Sequence, residues 1–187
     1  MKLAEVFTDR AVARAYRHRP EYPEATFRIL SELIVGLITA GAAVHWLDES
    51  RAMPRFARAP APGARLALSE VEEEPLDPTW DKEMTAIVKR YSEVRDYRQF
   101  TDVLRLLQDD GWFVRLGETR TKSIRARRTL PEYIEWQHSK ATLSRVRLGD
   151  RVDAFDAEVA ALFGRRGVSF IDSDVVGYLT WGQPVAK

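Results

Sequence analysis

The stretch Leu37-Ile38-Thr39-Ala40-Gly41-Ala42-Ala43-Val44-His45-Trp46-Leu47-Asp48, followed by Arg55-Phe56-Ala57-Arg58-Ala59-Pro60-Ala61-Pro62-Gly63-Ala64-Arg65-Leu66-Ala67-Leu68, decides how this chain is read. Residues 37–44 have no polar face, which predicts a strand covered on both sides in a parallel sheet. Arg51 to Ala59 reads as a helix, Pro60 to Gly63 as a turn, and Arg65 to Val71 as a second strand. Strand, helix and strand in alternation argue for an α/β sheet.

Working outward, Val6, Val12, Ala15 and Tyr16 can line one helical face. Arg19-Pro20-Glu21-Tyr22-Pro23 breaks that helix, and Pro23 suits the first position of the next because a proline there loses no hydrogen bond. Phe27, Leu30, Leu33 and Ile34 recur at helical spacing over 24–35, and Gly36 suits the cap. Beyond the second strand, Trp80, Met84, Ile87, Val88 and Tyr91 form one helical stripe, and Phe100, Val103, Leu104 and Leu107 another. Both stripes are predicted to pack on a sheet. Gly111 ends the second helix, and Trp112 to Leu116 begins a strand that continues through a bend at Gly117 toward Arg127. Pro131 opens a short helix, Val152, Phe155, Val159 and Phe163 mark a last one, and Val168 to Trp181 closes the chain as a strand.

Bulk properties bound the answer. The 187 residues are 45% hydrophobic and 30% charged, which suits a single domain over 1–187 with a sizeable core. Lysine plus arginine (29) nearly cancels aspartate plus glutamate (28), so no long-range field draws the surface to nucleic acid or to an anionic membrane. Without cysteine there is no disulfide framework and no thiolate metal site, as suits a cytoplasmic protein. Met1 to Arg10 carries charges where a signal peptide needs an apolar run, and no later stretch is long enough to span a bilayer. The partner expected is a small molecule.

The stretch at 37–68 resembles the middle of a class I S-adenosylmethionine-dependent methyltransferase of the small-molecule type. Tyr16-Arg17-His18-Arg19-Pro20-Glu21-Tyr22-Pro23 is similar to the Tyr-x-x-Arg-Pro-x-Tyr-Pro opening that precedes the cofactor loop in that family. The resemblance covers nearly the whole chain, with an internal gap at Gly36, where the family's Gly-rich turn and the strands after it are missing. Ala64 also stands where the family has the second glycine of a Pro-Gly-Gly turn. The resemblance implies a partial Rossmann-like sheet with strands equivalent to 4-5-7-6, taken from the family order 3-2-1-4-5-7-6. Residues 1–36 supply amino-terminal helices, and 37–187 supply the carboxyl-terminal part of the sheet with substrate-side helices. Such a sheet leaves 37–44 with an unpaired edge. That edge predicts a homodimer through 37–44, or amino-terminal helices that swing over to cover it.

The cofactor implied is S-adenosylmethionine. Methyl transfer asks mainly for positioning, with a general base only where the acceptor must lose a proton. His45, just past the carboxyl end of a strand where open α/β sheets bind ligands, is the candidate base; its other reading is a hydrogen-bonded wall of the crevice. Trp46 could stack on an acceptor or pack in the core. By resemblance, Tyr16, Arg19 and Tyr22 close over the methionine end of the cofactor. Tyr133, Trp136, His138 and Ser139 fall in the segment that covers the substrate, against the plainer reading of a surface helix with one buried aromatic.

Other clusters point nowhere specific. Glu70, Glu72, Glu73 and Glu74 read as a solvated loop after the strand rather than a metal site, since a hard-cation loop needs a defined spacing. Arg125, Arg127 and Arg128 form a small basic patch without the aromatics that nucleic-acid binding uses. The nucleotide-loop, serine-hydrolase and zinc-protease motifs are absent. The sequence thus supports a methyltransferase-like protein impaired by its gap; the alternative is a non-catalytic binding or interaction module on the remnant fold.

Overall fold

A computed structural model describes residues 10–32, 37–41, 44, 47–58, 65–94 and 98–186. Its elements are α1 (Arg10–Ala15), α2 (Glu24–Glu32), β1 (Leu37–Gly41), α3 (Glu49–Arg58), β2 (Arg65–Pro75), α4 (Pro78–Tyr91), α5 (Phe100–Asp109), β3 (Phe113–Arg120), β4 (Ile124–Thr129), α6 (Leu130–His138), α7 (Arg145–Leu148), α8 (Val152–Arg166) and β5 (Phe170–Pro184). They form two compact units, one built from residues 1–20, 73–96 and 125–174, the other from 21–72, 97–124 and 175–187.

The second unit holds the sheet core. Its strand order is β1-β2-β5-β3, the 4-5-7-6 order that the resemblance implies. β1 runs parallel to β2 with Leu37 opposite Arg65 and Gly41 opposite Ser69, and β3 runs antiparallel to β5. Leu66, Ala67 and Leu68 are fully buried, as befits a strand with neighbours on both sides. Phe100, Val103 and Leu107 of α5 meet Leu66, Leu68, Met53 and Phe113, so this stripe packs on the sheet as predicted. The bend at Gly117 is real: the β3–β5 register slips between Arg115 and Gly117. A Cβ at Gly117 would sit 2.4 Å from Trp181 Cζ2, so only glycine admits the indole there.

β1 departs from the sequence expectation. Its strand ends at Gly41 rather than Val44, and Thr39 and Gly41 are exposed rather than covered on both faces. Among the described residues β1 has one strand partner, β2, and ends the sheet. Phe27, expected on the buried stripe of α2, is 59% exposed, while Pro23 and Thr26 turn inward instead.

The first unit is built on helices. Trp80, Met84 and Ile87 of α4 pack with Tyr133, Leu143, Phe155, Val159, Leu162 and Phe163, with Ile171 as the strand residue of the cluster. The α4 stripe therefore packs mostly with α6 and α8, with Ile171 of β5 beside them. A 3.6-residue period reports that a face is buried, not what buries it. Asp77 caps α4 by accepting from the Thr79 N–H at 2.9 Å ahead of Pro78, and the Thr79 hydroxyl, donating at 2.6 Å, together with that N–H lowers its pKa. Thr129 and Glu132 form a capping box for α6. In this unit β4 pairs with the start of β5 through Arg127–Asp172 and Arg125–Asp174.

Candidate functional site

The opening Tyr16–Pro23 is shaped by its prolines. Tyr16 to His18 form a single 3₁₀ turn, and Arg19, which precedes Pro20, is forced extended at φ −69° and ψ 148°. Its guanidinium lies 4.1 Å from the centre of the Tyr16 ring. It donates to the Ser139 carbonyl at 2.7 Å and to Ser139 Oγ at 3.2 Å. Ser139 is the C-cap of α6, so a cation sits where the helix presents its unsatisfied carbonyls. Two segments 120 residues apart, each singled out in the sequence, thus meet at one contact. Arg19 is spent there on a carbonyl.

The remaining predicted residues of α6 divide sharply. Tyr133 is 2% exposed; its hydroxyl accepts from Trp80 Nε1 at 3.1 Å, and its ring stands edge-on to Trp80, Phe163 and Trp136. Burial pushes its phenol pKa well up, so it is a neutral core residue. His138 is 1% exposed, with Nδ1 2.8 Å from the Leu143 carbonyl and Nε2 2.8 Å from Asp156 Oδ1. Both ring nitrogens are engaged, and the ring ties α6 to the segment after it and to α8. Ser139 is fully buried, its Oγ donating to the Trp136 carbonyl at 2.6 Å. Trp136 keeps part of its ring accessible.

Sequence reasoning missed the charges around Trp136. Lys140 Nζ lies 3.9 Å from the centre of the Trp136 ring, and Arg128 Cζ lies 5.2 Å from it. Burial lowers the Lys140 pKa to about 8. Arg128 is held by Glu73 through three contacts at 2.8, 3.0 and 3.3 Å, with the Glu73 side chain only 1% exposed. The acidic run is therefore not a loop: β2 continues to Pro75 and carries Glu73 into an ion pair. Nor are the arginines an open basic patch. Arg127 grips Asp172 with two bonds at 2.8 and 2.9 Å, Arg125 reaches Asp174, and Arg128 takes Glu73. Each charge run neutralises a partner distant in sequence, which composition alone cannot reveal.

In the other unit, Tyr22 lies over the end of β1. A Cβ at Gly41 would come 2.8 Å from Tyr22 Oη and 3.2 Å from Ser69 Oγ. Along β5, Gly177 has the same relation to Thr26 Oγ1 at 2.6 Å and to Pro23, and its N–H donates to Thr121 Oγ1 at 3.0 Å. Glycines at these two strand positions let the start of α2 lie directly on the sheet. His45 and Trp46, the candidate base and its neighbour, lie outside the described residues, as do Leu33 and Ile34. A cavity of about 430 Å³ opens beside the first turn of α5, lined by Phe100, Thr101, Leu104, Glu118, Arg120 and Tyr178. No residue predicted for the site lines it. Among the described residues no cluster of histidine, aspartate and glutamate could hold a metal ion.

A solved structure from Anaeromyxobacter dehalogenans, assigned to the type II methyltransferases, superposes on this chain with a TM-score of 0.50 at 19% sequence identity, covering 80% of this chain and 65% of that one. With the β1-β2-β5-β3 order, that decides the architecture. The fold is that of a class I methyltransferase. The chain spans less than two thirds of the length of that neighbour. A methyltransferase-assigned structure from Bacillus halodurans aligns with a TM-score of 0.39 at 11% identity over 80% of this chain and 70% of its own. A geranyl diphosphate methyltransferase solved with S-adenosylmethionine aligns with a TM-score of 0.31 at 18% identity, over 81% and 51%. No protein-family model matches the sequence. No curated protein matches it either. Among the described residues, no helix is long and apolar enough to cross a membrane.

Proposed function

We propose that this chain is a small-molecule methyltransferase by descent whose sheet stops short of the cofactor-binding half, so that alone it does not retain S-adenosylmethionine. The observation that carries the reading is the position of β1 at the end of the sheet, with the four residues 33–36 between it and α2. In the class I order three strands belong beyond it, and a strand, a Gly-rich turn and a helix cannot be built from four residues. Of the residues expected at the cofactor, Arg19 is turned to the Ser139 carbonyl and Tyr22 is packed over Gly41 at the end of β1. The exposure of Phe27 at 59% and of Thr39 supports the same reading, because these would be covered if the layer beyond β1 existed. The edge of β1 that has no strand partner among the described residues is the surface through which two copies would pair.

Calorimetry with the full chain tests this. No saturable heat with S-adenosylmethionine is the expected result, and binding in the micromolar range contradicts it. A second reading, a binding module that kept the acceptor side, draws on the partly accessible ring of Trp136 between Lys140 and Arg128. Saturable binding of a small-molecule acceptor in the absence of the cofactor would favour it.

A further inference from the structure

We infer that Lys140, lying on the Trp136 ring with the Arg128 and Arg19 guanidinia nearby, binds the carboxylate of a small molecule. The inference rests on reading the α6 segment as the acceptor side of the methyltransferase fold, and it names the chemistry that segment would recognise.

The argument starts from Lys140. Its ammonium carries three donors, and a face of Trp136 at 3.9 Å satisfies its charge without accepting a single conventional hydrogen bond. Among the described residues no carboxylate lies within ion-pair distance of it. Arg128 approaches the same ring at 5.2 Å, and Arg19 is pinned at Ser139, one residue before Lys140. Among the charged groups that act on Lys140 are Glu73 and Asp81 on the acidic side and Arg19 and Arg128 on the basic side. Glu73 is already occupied by Arg128. With Arg128 closed on Glu73 and Arg19 turned to the Ser139 carbonyl, the half-buried Lys140 has no carboxylate of its own among the described residues. Partly desolvated cations crowded together repel each other strongly, and an anion placed among them removes both costs. A single ammonium matches a single carboxylate better than a doubly charged phosphate. The exposed edge of Tyr16, itself 41% accessible beneath Arg19, provides an apolar surface for the body of such a ligand.

The test uses the full chain, labelled so that the Trp136 indole N–H is followed by nuclear magnetic resonance, and titrates benzoate, its neutral counterpart benzamide, and inorganic phosphate at low salt. Benzoate is expected to move the Trp136 signal saturably, while benzamide does not. Loss of a charge-assisted contact in Lys140→Gln weakens benzoate about tenfold. Lys140→Arg, which keeps the charge, retains binding, and the exposed Lys122→Gln changes nothing. The proposal is overturned if benzamide moves the signal as benzoate does, if Lys140→Gln binds as tightly as the parent, or if phosphate displaces benzoate. No S-adenosylmethionine is present, so this outcome is independent of the calorimetric one: carboxylate binding can fail while the cofactor reading holds, and the reverse.

Discussion

The two compact units of this chain are finished to different degrees. In the helical unit every long apolar stripe meets another: Trp80, Phe155, Leu162 and Phe163 are all at most 2% exposed. Arg127, Arg128 and Arg145 there each close on a carboxylate. In the sheet unit β2 is buried on both faces, yet the neighbouring β1 ends the sheet and Phe27 stands in solvent. The difference teaches which unit closes on itself. The helical unit folds as a complete layer, whereas the sheet unit ends, among the described residues, on β1.

If the helical unit is the self-sufficient one, its core should be the costliest place to cut. Phe155→Ala, which empties the space against Tyr91 and His138, is expected to lower stability by about 4 kcal/mol in a denaturant titration. A loss below about 1 kcal/mol would break the contrast. Next comes the ion pair, since Glu73→Ala leaves Arg128 poorly solvated and should cost about 3 kcal/mol; the same measurement on the Glu73→Ala, Arg128→Met double variant should recover much of that. In the sheet unit, Gly117→Ala drives a methyl into the Trp181 ring and is expected to cost about 2 kcal/mol, read as a lower thermal midpoint.

Lys140 sharpens the comparison through pH. Its pKa falls from the ordinary 10.5 to about 8 in the folded chain because burial disfavours the charged form. Between these values the unfolded chain holds a proton that the native one has released, so stability rises with pH across about 8 to 10.5. Lys140→Met should flatten that rise and stabilise the protein at pH 7 by about 1 kcal/mol, after allowance for the partial exposure of the side chain. The smallest folding effect belongs to the open edge. Thr39→Lys should change monomer stability by under about 0.5 kcal/mol yet abolish self-association in light scattering, since a charge on an edge strand blocks pairing.

Most of the fold was legible because its signals are local. The stripe at Phe100–Leu107, the helix openings marked by Pro23 and Pro131, and the alternation of strands and helices each follow from periodicity or backbone restriction. The strand order came from the family resemblance, and the structure agrees with it. The site was less legible for a physical reason. Arg19–Ser139, Arg128–Glu73 and His138–Asp156 join residues far apart in sequence, so the segments could be flagged but not their pairing. Lys140 escaped notice altogether. Only its placement against Trp136, at the end of α6, separates it from a surface lysine.

Backbone amide exchange along residues 37–41, measured on dilute monomer, tests the central claim most directly. If the sheet ends at β1, every second amide of that strand faces no partner and exchanges rapidly, while the amides of Leu66 to Leu68 in β2 remain protected. Slow exchange at all five β1 positions in the monomer would mean that another strand pairs there, and the account of a sheet cut at this edge would be wrong.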